Sequence, residues 1–359
     1  MKLLVVEPYY GGSHRAFLDD LLRQLPCEYD LLTLPAQHWK WRMRLAAPHF
    51  AGLLRERETA RYDAIFCSSI LDAAAFRGLL PPHLAALPLL VYFHENQFAY
   101  PVQVEAERDV HFSLTNLTTA LCADRLAFNS RYNLESFLAG AGELLARMPD
   151  MVLPGWEEAI RAKAVVLSPG IDFGGIDAVP AAGSVSGAPV VLWNHRWEHD
   201  KDPEFFFRTL FGLAEQGVAF RCIVLGQSFR NQPPIFAEAE KRLAGRIIHF
   251  GYAASREEYC RLLRRADVVV STARHEFFGM AVLEAVRAGC RPMVPDRLSY
   301  RELFPYEYRY QNEEFAACLR RSLAAGRLST AEARELTEKF SWPSIMPGYL
   351  RWFAPEPAE

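Results

Sequence analysis

The chain contains 359 residues, of which 50% are hydrophobic and 23% are charged. A chain of this length exceeds the range in which one hydrophobic core keeps growing, so we expect two domains. No apolar run reaches the roughly 18 residues that a membrane-spanning helix needs, and we predict no membrane partner. The formal net charge of −3 excludes a uniformly basic surface. A nucleic-acid partner would therefore need a local cationic patch.

The cysteines and the first residues indicate the cellular setting. Seven cysteines are scattered along the chain without a CxxC pair, which favours neither a disulfide framework nor a zinc site. We therefore expect a reducing, cytoplasmic location. Residues 1–7 are too short for a signal peptide and are interpreted as the first core strand.

Apolar runs alternate with helix-length amphipathic segments through the first half of the chain. The predicted strands are residues 3–6, 29–34, 64–67, 89–93, 125–129 and 164–167. Such alternation is typical of right-handed βαβ units in a doubly wound parallel sheet. We predict that residues 1–178 form a Rossmann-like domain.

A segment rich in small residues, residues 179–189, follows as a predicted linker. The alternation then restarts, with predicted strands at residues 190–194, 220–225, 247–250, 268–271 and 291–294. We predict a second Rossmann-like domain over residues 190–340. Aromatic residues recur at helical spacing near the end, so residues 341–359 are predicted to be a C-terminal helix and tail that pack on the body.

Two strand ends in the first domain carry candidate polar groups. Gly11 and Gly12 follow the first strand and would free backbone N–H groups to meet an anion, although a plain turn fits as well. His94 follows the strand 89–93 and could contact a sugar or phosphate, because imidazole donates or accepts near neutral pH. A structural role for this histidine is the alternative.

Cationic and acidic pairs follow two strands of the second domain. Arg196 offers a planar fork and Lys201 a point charge, which together suit a diphosphate. Glu276 and Glu284 lie eight residues apart where a strand leads into a helix, at the sheet edge where ligands bind. A solvated loop and two surface glutamates are the alternatives.

A DxD pattern, Asp200 and Asp202, could hold a divalent metal on the diphosphate. Asp202 precedes a proline at a predicted helix start, however, where aspartate is a common N-cap. We therefore expect no metal. 

Cations and tryptophans alternate between residues 38 and 44. Such a mixture suits phosphate contact and stacking on unpaired bases. A helix that buries its tryptophans and extends its arginines to solvent is equally compatible.

Glu276 with Glu284, and Arg196 with Lys201, resemble the retaining GT-B glycosyltransferases of family 4. This resemblance implies an α/β GT-B fold with two Rossmann-like domains facing across a cleft. It also implies that Glu276 binds sugar hydroxyls, Glu284 binds ribose, and the two cations stabilise the leaving diphosphate without a metal. The donor-binding set is predicted to be Gly11, Gly12, Asn194, Arg196, Lys201, Gly226, Glu276, Phe278, Gly279 and Glu284.

Longer blocks resemble the tRNA-queuosine α-mannosyltransferase family. They are residues 7–14 (EPYYGGSH), 34–42 (LPAQHWKWR), 92–97 (YFHENQ), 128–130 and 194–201. The resemblance implies retaining transfer of mannose from GDP-mannose, a substrate and not a cofactor, to queuosine at the wobble position of tRNA. The implied partners are a nucleotide sugar and tRNA carrying queuosine.

By this resemblance, the catalytic residues are His94, Arg196, Lys201 and Glu276. The implied acceptor-binding residues are His14, His38, Trp39, Lys40, Trp41, Arg42, Arg44, Glu95, Asn96, Gln97, Asn129 and Ser130. One alternative is a GT-B transferase that moves another sugar to a lipid, polysaccharide or small molecule. A non-catalytic nucleotide- or RNA-binding protein is disfavoured, because the residues of the donor site are intact.

Overall fold

The computed structural model describes residues 1–56, 61–101, 109–150, 153–180, 187–228 and 232–354. The chain divides into two compact units, Met1–Gly170 with Ile345–Glu359, and Ile171–Ser344. Each unit contains one sheet of six parallel strands, so the predicted doubly wound arrangement of both halves is confirmed.

The first unit has the strand order β2-β1-β3-β4-β5-β6. Its elements are β1 Lys2–Tyr10, α1 Gly12–Gln24, β2 Glu28–Pro35, α2 Trp39–Arg55, β3 Ala64–Ser68, α3 Ala73–Leu79, α4 Pro82–Ala85, β4 Leu89–Phe93, α5 Val110–Cys122, β5 Arg125–Phe128, α6 Arg131–Leu145, α7 Trp156–Lys163 and β6 Ala164–Val166. All residues of β3 and β4 are buried. Parallel strands covered on both faces have this continuous apolar pattern, which explains why the sequence predicted them well.

The second unit has the strand order β12-β11-β10-β7-β8-β9. Its elements are α8 Gly174–Asp177, β7 Val190–Asn194, α9 Pro203–Glu215, β8 Arg221–Leu225, α10 Ile235–Arg242, β9 Ile247–Gly251, α11 Arg256–Arg265, β10 Val268–Val270, α12 Met280–Arg287, β11 Arg291–Pro295, α13 Tyr300–Leu303, β12 Arg309–Tyr310, α14 Phe315–Ala325, α15 Thr330–Thr337 and α16 Trp342–Phe353. The central strands β7 and β10 pair in parallel. The residues that follow them therefore leave the sheet at the same edge.

The chain enters the second unit before the predicted linker. Phe173 and Ile176 are buried in the hydrophobic core of that unit. Asp177 accepts a hydrogen bond of 2.6 Å from Arg287 on α12. Residues 171–178, which we had assigned to the first domain, thus pack with the second. The small, polar linker composition marks only the segment after this crossing, and its residues 181–186 lie outside the described residues.

The C-terminal helix α16 returns to the first unit from Ile345 onward. Tyr349 is fully buried, and its hydroxyl donates to the carbonyl oxygen of Ser168 at 3.0 Å. Arg125 on β5 donates to the carbonyl oxygen of Trp352 at 2.7 Å. The predicted packing of this helix on the body is confirmed, and the tail beyond residue 354 lies outside the described residues.

Candidate functional site

A buried ammonium group lies at the carboxyl edge of the second sheet. Lys201 ends a short 3₁₀ turn, and its side chain is 8% exposed. Its Nζ lies 2.7 Å from the carbonyl oxygen of His275, 3.0 Å from a carboxylate oxygen of Asp200 and 3.4 Å from one of Glu276. The three N–H groups of the ammonium therefore have three acceptors, which compensates its loss of hydration.

Lys201 and Glu276 hold each other in the charged form. Burial alone would lower the pKa of Lys201, but the carboxylates of Glu276 and Asp200 outweigh it and raise the pKa. Burial alone would raise the pKa of Glu276, and the charge of Lys201 instead leaves it lowered. Both groups are consequently ionised at neutral pH.

The second carboxylate of the predicted pair is held by another set of groups. Glu284 accepts a hydrogen bond of 2.7 Å from the hydroxyl of Tyr259 and lies 2.6 Å from a guanidinium nitrogen of Arg256. Asn194 donates to the same tyrosine hydroxyl at 2.8 Å. Tyr259 thus links Asn194 to Glu284. The side chain of Glu284 is 14% exposed.

Arg196 differs from Lys201 in its surroundings. Its side chain is 54% exposed, and its guanidinium lies 3.1 Å from the carboxylate of Glu198. The two cations that we paired in the sequence therefore occupy different environments, since Lys201 is buried and Arg196 is exposed.

Two glycines of the predicted donor site have steric reasons to be glycine. Gly279, with a φ of +111°, caps the N-terminus of α12, and a Cβ there would lie 3.1 Å from the Tyr300 ring. Gly226, with a φ of +144°, would place a Cβ 1.8 Å from the carbonyl oxygen of His195. Phe278, between Glu276 and Gly279, is buried in the core. Gly279 and Phe278 thus fix the backbone that follows Glu276, and Gly226 allows its strand end to approach His195.

The two aspartates of the DxD pattern point to different partners. Asp200 pairs with Lys201, as described above. Asp202 has a φ of +48°, accepts a hydrogen bond from the backbone of Phe205 and receives one of 2.7 Å from Arg274. The predicted N-cap role of Asp202 is confirmed.

His195 is a group in this region that our sequence analysis left out. It is buried, and its Nε2 has no hydrogen-bond partner within the part of the chain that the structure describes. Burial and then the charge of Lys201 lower the pKa of His195 to about 4. The ring is therefore neutral at physiological pH.

Charged groups also gather at the carboxyl edge of the first sheet. His14 on α1 lies with its Nδ1 3.5 Å from Glu7 and its Nε2 3.3 Å from Glu95. Its ring centroid lies 4.2 Å from that of His94. The loop after β4 and the segment after β1 thus meet at one imidazole.

Glu7, His14 and His94 also offer ligand atoms within 4.8 Å of one another, which is compatible with a metal ion. A metal would require a deprotonated His14 ring. Both ring nitrogens already face carboxylate oxygens, and these raise the pKa of His14 to about 10 although burial opposes them. This donor set is therefore better suited to hold a proton than a metal.

The amides and the serine that we assigned to acceptor binding hold the loop that carries His94 and Glu95. Asn96 is fully buried and donates to the side chain of Asn133 at 2.8 Å. Asn129 donates to the carbonyl oxygen of His94 at 2.6 Å. Two further contacts are a hydrogen bond from the backbone of Gln97 to the side chain of Asn116 and the capping of α6 by Ser130. Gly11 and Gly12, which we assigned to donor binding, lie at the start of α1.

The cationic segment, residues 38–44, lies at the start of helix α2. One of its tryptophans is packed and the other is exposed, so it has features of both a buried helix and a ligand-binding surface. Trp39 packs against Phe112, with ring centroids 5.2 Å apart, whereas Trp41 is 65% exposed. Lys40 and Arg44 are exposed on the same helix. Arg42 donates to the carbonyl oxygen of Pro35, and His38 precedes the helix with a φ of +52°. Arg44 lies 3.4 Å from a carboxylate oxygen of Asp109, and the Nζ of Lys40 lies over the Trp39 ring. An exposed tryptophan beside exposed cations is a surface suited to a base and its phosphates.

Comparisons with known proteins agree with this geometry. A family model described as "tRNA-queuosine alpha-mannosyltransferase N-terminal" matches residues 2–171, and one described as "Glycosyl transferases group 1" matches residues 178–307. A tRNA-queuosine alpha-mannosyltransferase from Drosophila melanogaster is 37% identical over 319 residues, which cover 86% of this chain and 83% of that protein. The chain belongs to the tRNA-queuosine alpha-mannosyltransferase family.

Other comparisons support the class and fold of this tRNA-queuosine alpha-mannosyltransferase family member. A GDP-mannose:cellobiosyl-diphosphopolyprenol alpha-mannosyltransferase from Xanthomonas campestris is 29% identical over 126 residues, 34% of this chain and 33% of that protein. The sucrose-phosphate synthase of Thermosynechococcus elongatus has a similar structure, with a TM-score of 0.69, 15% identity and 98% of both chains covered. The predicted GT-B fold and glycosyltransferase class are confirmed. Among the described residues, no helix has both the length and the apolarity needed to cross a bilayer.

Protonation of His195 should destabilise this member of the tRNA-queuosine alpha-mannosyltransferase family. The pKa of the folded state, about 4, lies below the ordinary value of 6.5. The stabilisation is therefore complete above pH 6.5 and is lost as the pH falls toward 4. One unit of pKa corresponds to about 1.4 kcal/mol. His195→Gln should therefore reduce the slope of the free energy of unfolding against pH by at most that amount per pH unit.

Urea unfolding of wild type and variant across this pH range measures the difference. His249→Gln, on the edge strand β9, is the matched control. Parallel acid dependence of wild type and His195→Gln would contradict the prediction.

Proposed function

We propose that this protein transfers mannose from GDP-mannose to the queuosine base of tRNA, with retention at the anomeric carbon. The observation that carries the proposal is the buried ion pair of Lys201 and Glu276 in a chain of this family. A fixed ammonium and a fixed carboxylate are the two charges that a sugar diphosphate donor needs, one for the leaving group and one for the hydroxyls.

Donor binding is assigned to the second unit. Glu276 accepts hydrogen bonds from the sugar hydroxyls, and Lys201 stabilises the charge that develops on the diphosphate as the glycosidic bond breaks. Charges that are oriented before the reaction cost no reorganisation at the transition state. The exposed guanidinium of Arg196 adds a bidentate contact to the same phosphates. Glu284, oriented by Tyr259 and Arg256, accepts hydrogen bonds from the ribose hydroxyls.

The proposed reaction needs no metal ion, because Lys201 and Arg196 carry the positive charge that a metal would otherwise supply. Retention without a carboxylate nucleophile implies substitution on one face of the sugar, with the leaving phosphate taking the proton of the acceptor hydroxyl. The seven cysteines are free, which supports a reducing cytoplasmic setting.

Acceptor binding is assigned to the first unit. Trp41, which is 65% exposed, offers a stacking surface for an anticodon base. Lys40 and Arg44 lie on the same helix and contact the phosphates. Burial and then the charge of His14 lower the pKa of His94 well below its ordinary value. A neutral His94 ring can accept or donate one hydrogen bond to the acceptor hydroxyl or to the sugar.

Glu276→Gln should raise the activation free energy of mannose transfer by about 3 kcal/mol, which lowers the rate roughly 100-fold. This estimate follows by analogy with the loss of one oriented charge-stabilising group. The amide keeps the size of the side chain but removes the charge that faces Lys201. Mass spectrometry of tRNA nucleosides measures turnover, in EDTA and in parallel with added Mg²⁺. Glu335→Gln, an exposed residue of α15, is the control. Undiminished transfer by a folded Glu276→Gln variant would contradict the donor role, and transfer that depends on Mg²⁺ would contradict the metal-free proposal.

Exchanging both Lys40 and Arg44 for alanine should weaken tRNA binding and flatten its salt dependence. Each phosphate contact that is lost should change the slope of log affinity against log salt by about 0.7 to 0.9. Binding measured over a range of salt concentrations gives the slope. Lys241→Ala with Arg242→Ala, a charge-matched pair on α10, is the control. Unchanged slopes would remove Lys40 and Arg44 as phosphate contacts.

A further inference from the structure

Two distant sequence segments meet at a buried cluster of ionisable groups in the first unit. Glu7 lies on β1 and is 3% exposed, and His14 lies on α1 and is 5% exposed. His94 and Glu95 follow β4 and are partly buried. The two segments are 80 or more residues apart in sequence, so the fold itself creates the cluster.

The carboxylate of Glu7 is fixed on both of its oxygens. One accepts a hydrogen bond of 2.8 Å from the backbone N–H of Tyr9, and the other lies 3.5 Å from Nδ1 of His14. Nε2 of His14 lies 3.3 Å from Glu95. The imidazole of His14 consequently bridges two carboxylates that belong to different elements, and its rotation would break at least one of the two contacts.

The protonated ring suits this position. Burial alone would lower the pKa of His14, but Glu95 and Glu7 raise it to about 10. Both ring nitrogens are then donors, one to each carboxylate. The charge of His14, together with burial, keeps the neighbouring His94 neutral, with the two ring centroids 4.2 Å apart.

The other groups that face the cluster do not replace this cation. The rings of Phe17 and Tyr92 pack on His94 at 4.8 Å and 4.7 Å, and Tyr9 packs edge-on to His14. Burial and then the charge of Glu7 raise the pKa of Cys67, which stays a thiol. Ser68 has a buried hydroxyl in the small cavity that Glu7 and His94 also line.

We propose that Glu7 is a positioning residue of the transferase: it fixes the His14 ring, and His14 in turn orients Glu95 and His94 toward the acceptor. This inference rests on the proposed function, because the reaction supplies the acceptor that these side chains meet. Glu7 itself touches no substrate. Its effect passes through His14, which binds Glu95 directly and fixes the charge state and ring plane of His94.

The test combines Glu7→Gln with nuclear magnetic resonance of the histidine rings and with steady-state kinetics. Glutamine keeps an acceptor for the Tyr9 backbone but lacks the charge. We expect the His14 ring to lose its proton at lower pH than in wild type, and kcat to fall by up to about 100-fold, since small misplacements of reacting groups have such effects. Glu7→Asp should restore part of both losses.

The affinity for GDP-mannose should stay at the wild-type value, because the proposed donor site lies in the second unit. Urea unfolding, compared with that of wild type, reports whether the first unit of the variant is folded. Glu28→Gln, an exposed residue on β2, is the control and should change neither the histidine titration nor kcat.

Each outcome bears on one claim. A folded Glu7→Gln enzyme with unchanged kcat would overturn the inference, as would a His14 ring that titrates identically in wild type and variant. Absence of mannose transfer by the wild-type protein would instead overturn the proposed function, while the titration would still decide whether His14 is held as a cation.

Discussion

The buried ammonium of Lys201 is the charge on which the second unit's site depends. It lies between Asp200, Glu276 and the carbonyl oxygen of His275, so removing any one partner leaves a buried charge less well compensated. The loop that carries Glu276 is fixed by Gly279 and by the core contacts of Phe278. In the proposed function, donor binding therefore depends on a pair of charges that the fold has already oriented.

The first unit also contains a buried cationic side chain between two carboxylates. His14 lies between Glu7 and Glu95, and burial strengthens these contacts while it removes competing water. In both units, the cation and its carboxylates lie on or after parallel strands of one sheet. Parallel strands end at a common edge, which allows residues far apart in sequence to form one charged cluster.

The sheets, the helix pattern and the positions of the charged residues in the second unit's site could be predicted from the sequence. Buried parallel strands such as β4 are continuous apolar runs, and the spacing of Glu276 and Glu284 is a local pattern. Contacts that depend on tertiary structure could not be predicted. Tyr259 and Arg256 lie on a helix 25 or more residues before Glu284, and nothing local marks them as its partners.

Burial was the other property that the sequence concealed. The polar side chains after β4 and β5 looked like one acceptor surface, but Asn96 donates to Asn133 on α6 and Asn129 donates to the carbonyl oxygen of His94. The point where the chain crosses into the second unit could not be predicted either. Phe173 and Ile176 can be assigned to the core of that unit only from the folded structure. The small, polar composition therefore did not mark the packing boundary, which lies before it.

The most direct test of the account is mass spectrometry of nucleosides from queuosine-containing tRNA that has been incubated with the purified protein and GDP-mannose. The account predicts a queuosine nucleoside heavier by one hexose, with no product when tRNA lacking queuosine is used. Queuosine that stays unmodified while the protein binds GDP-mannose would contradict the proposed acceptor.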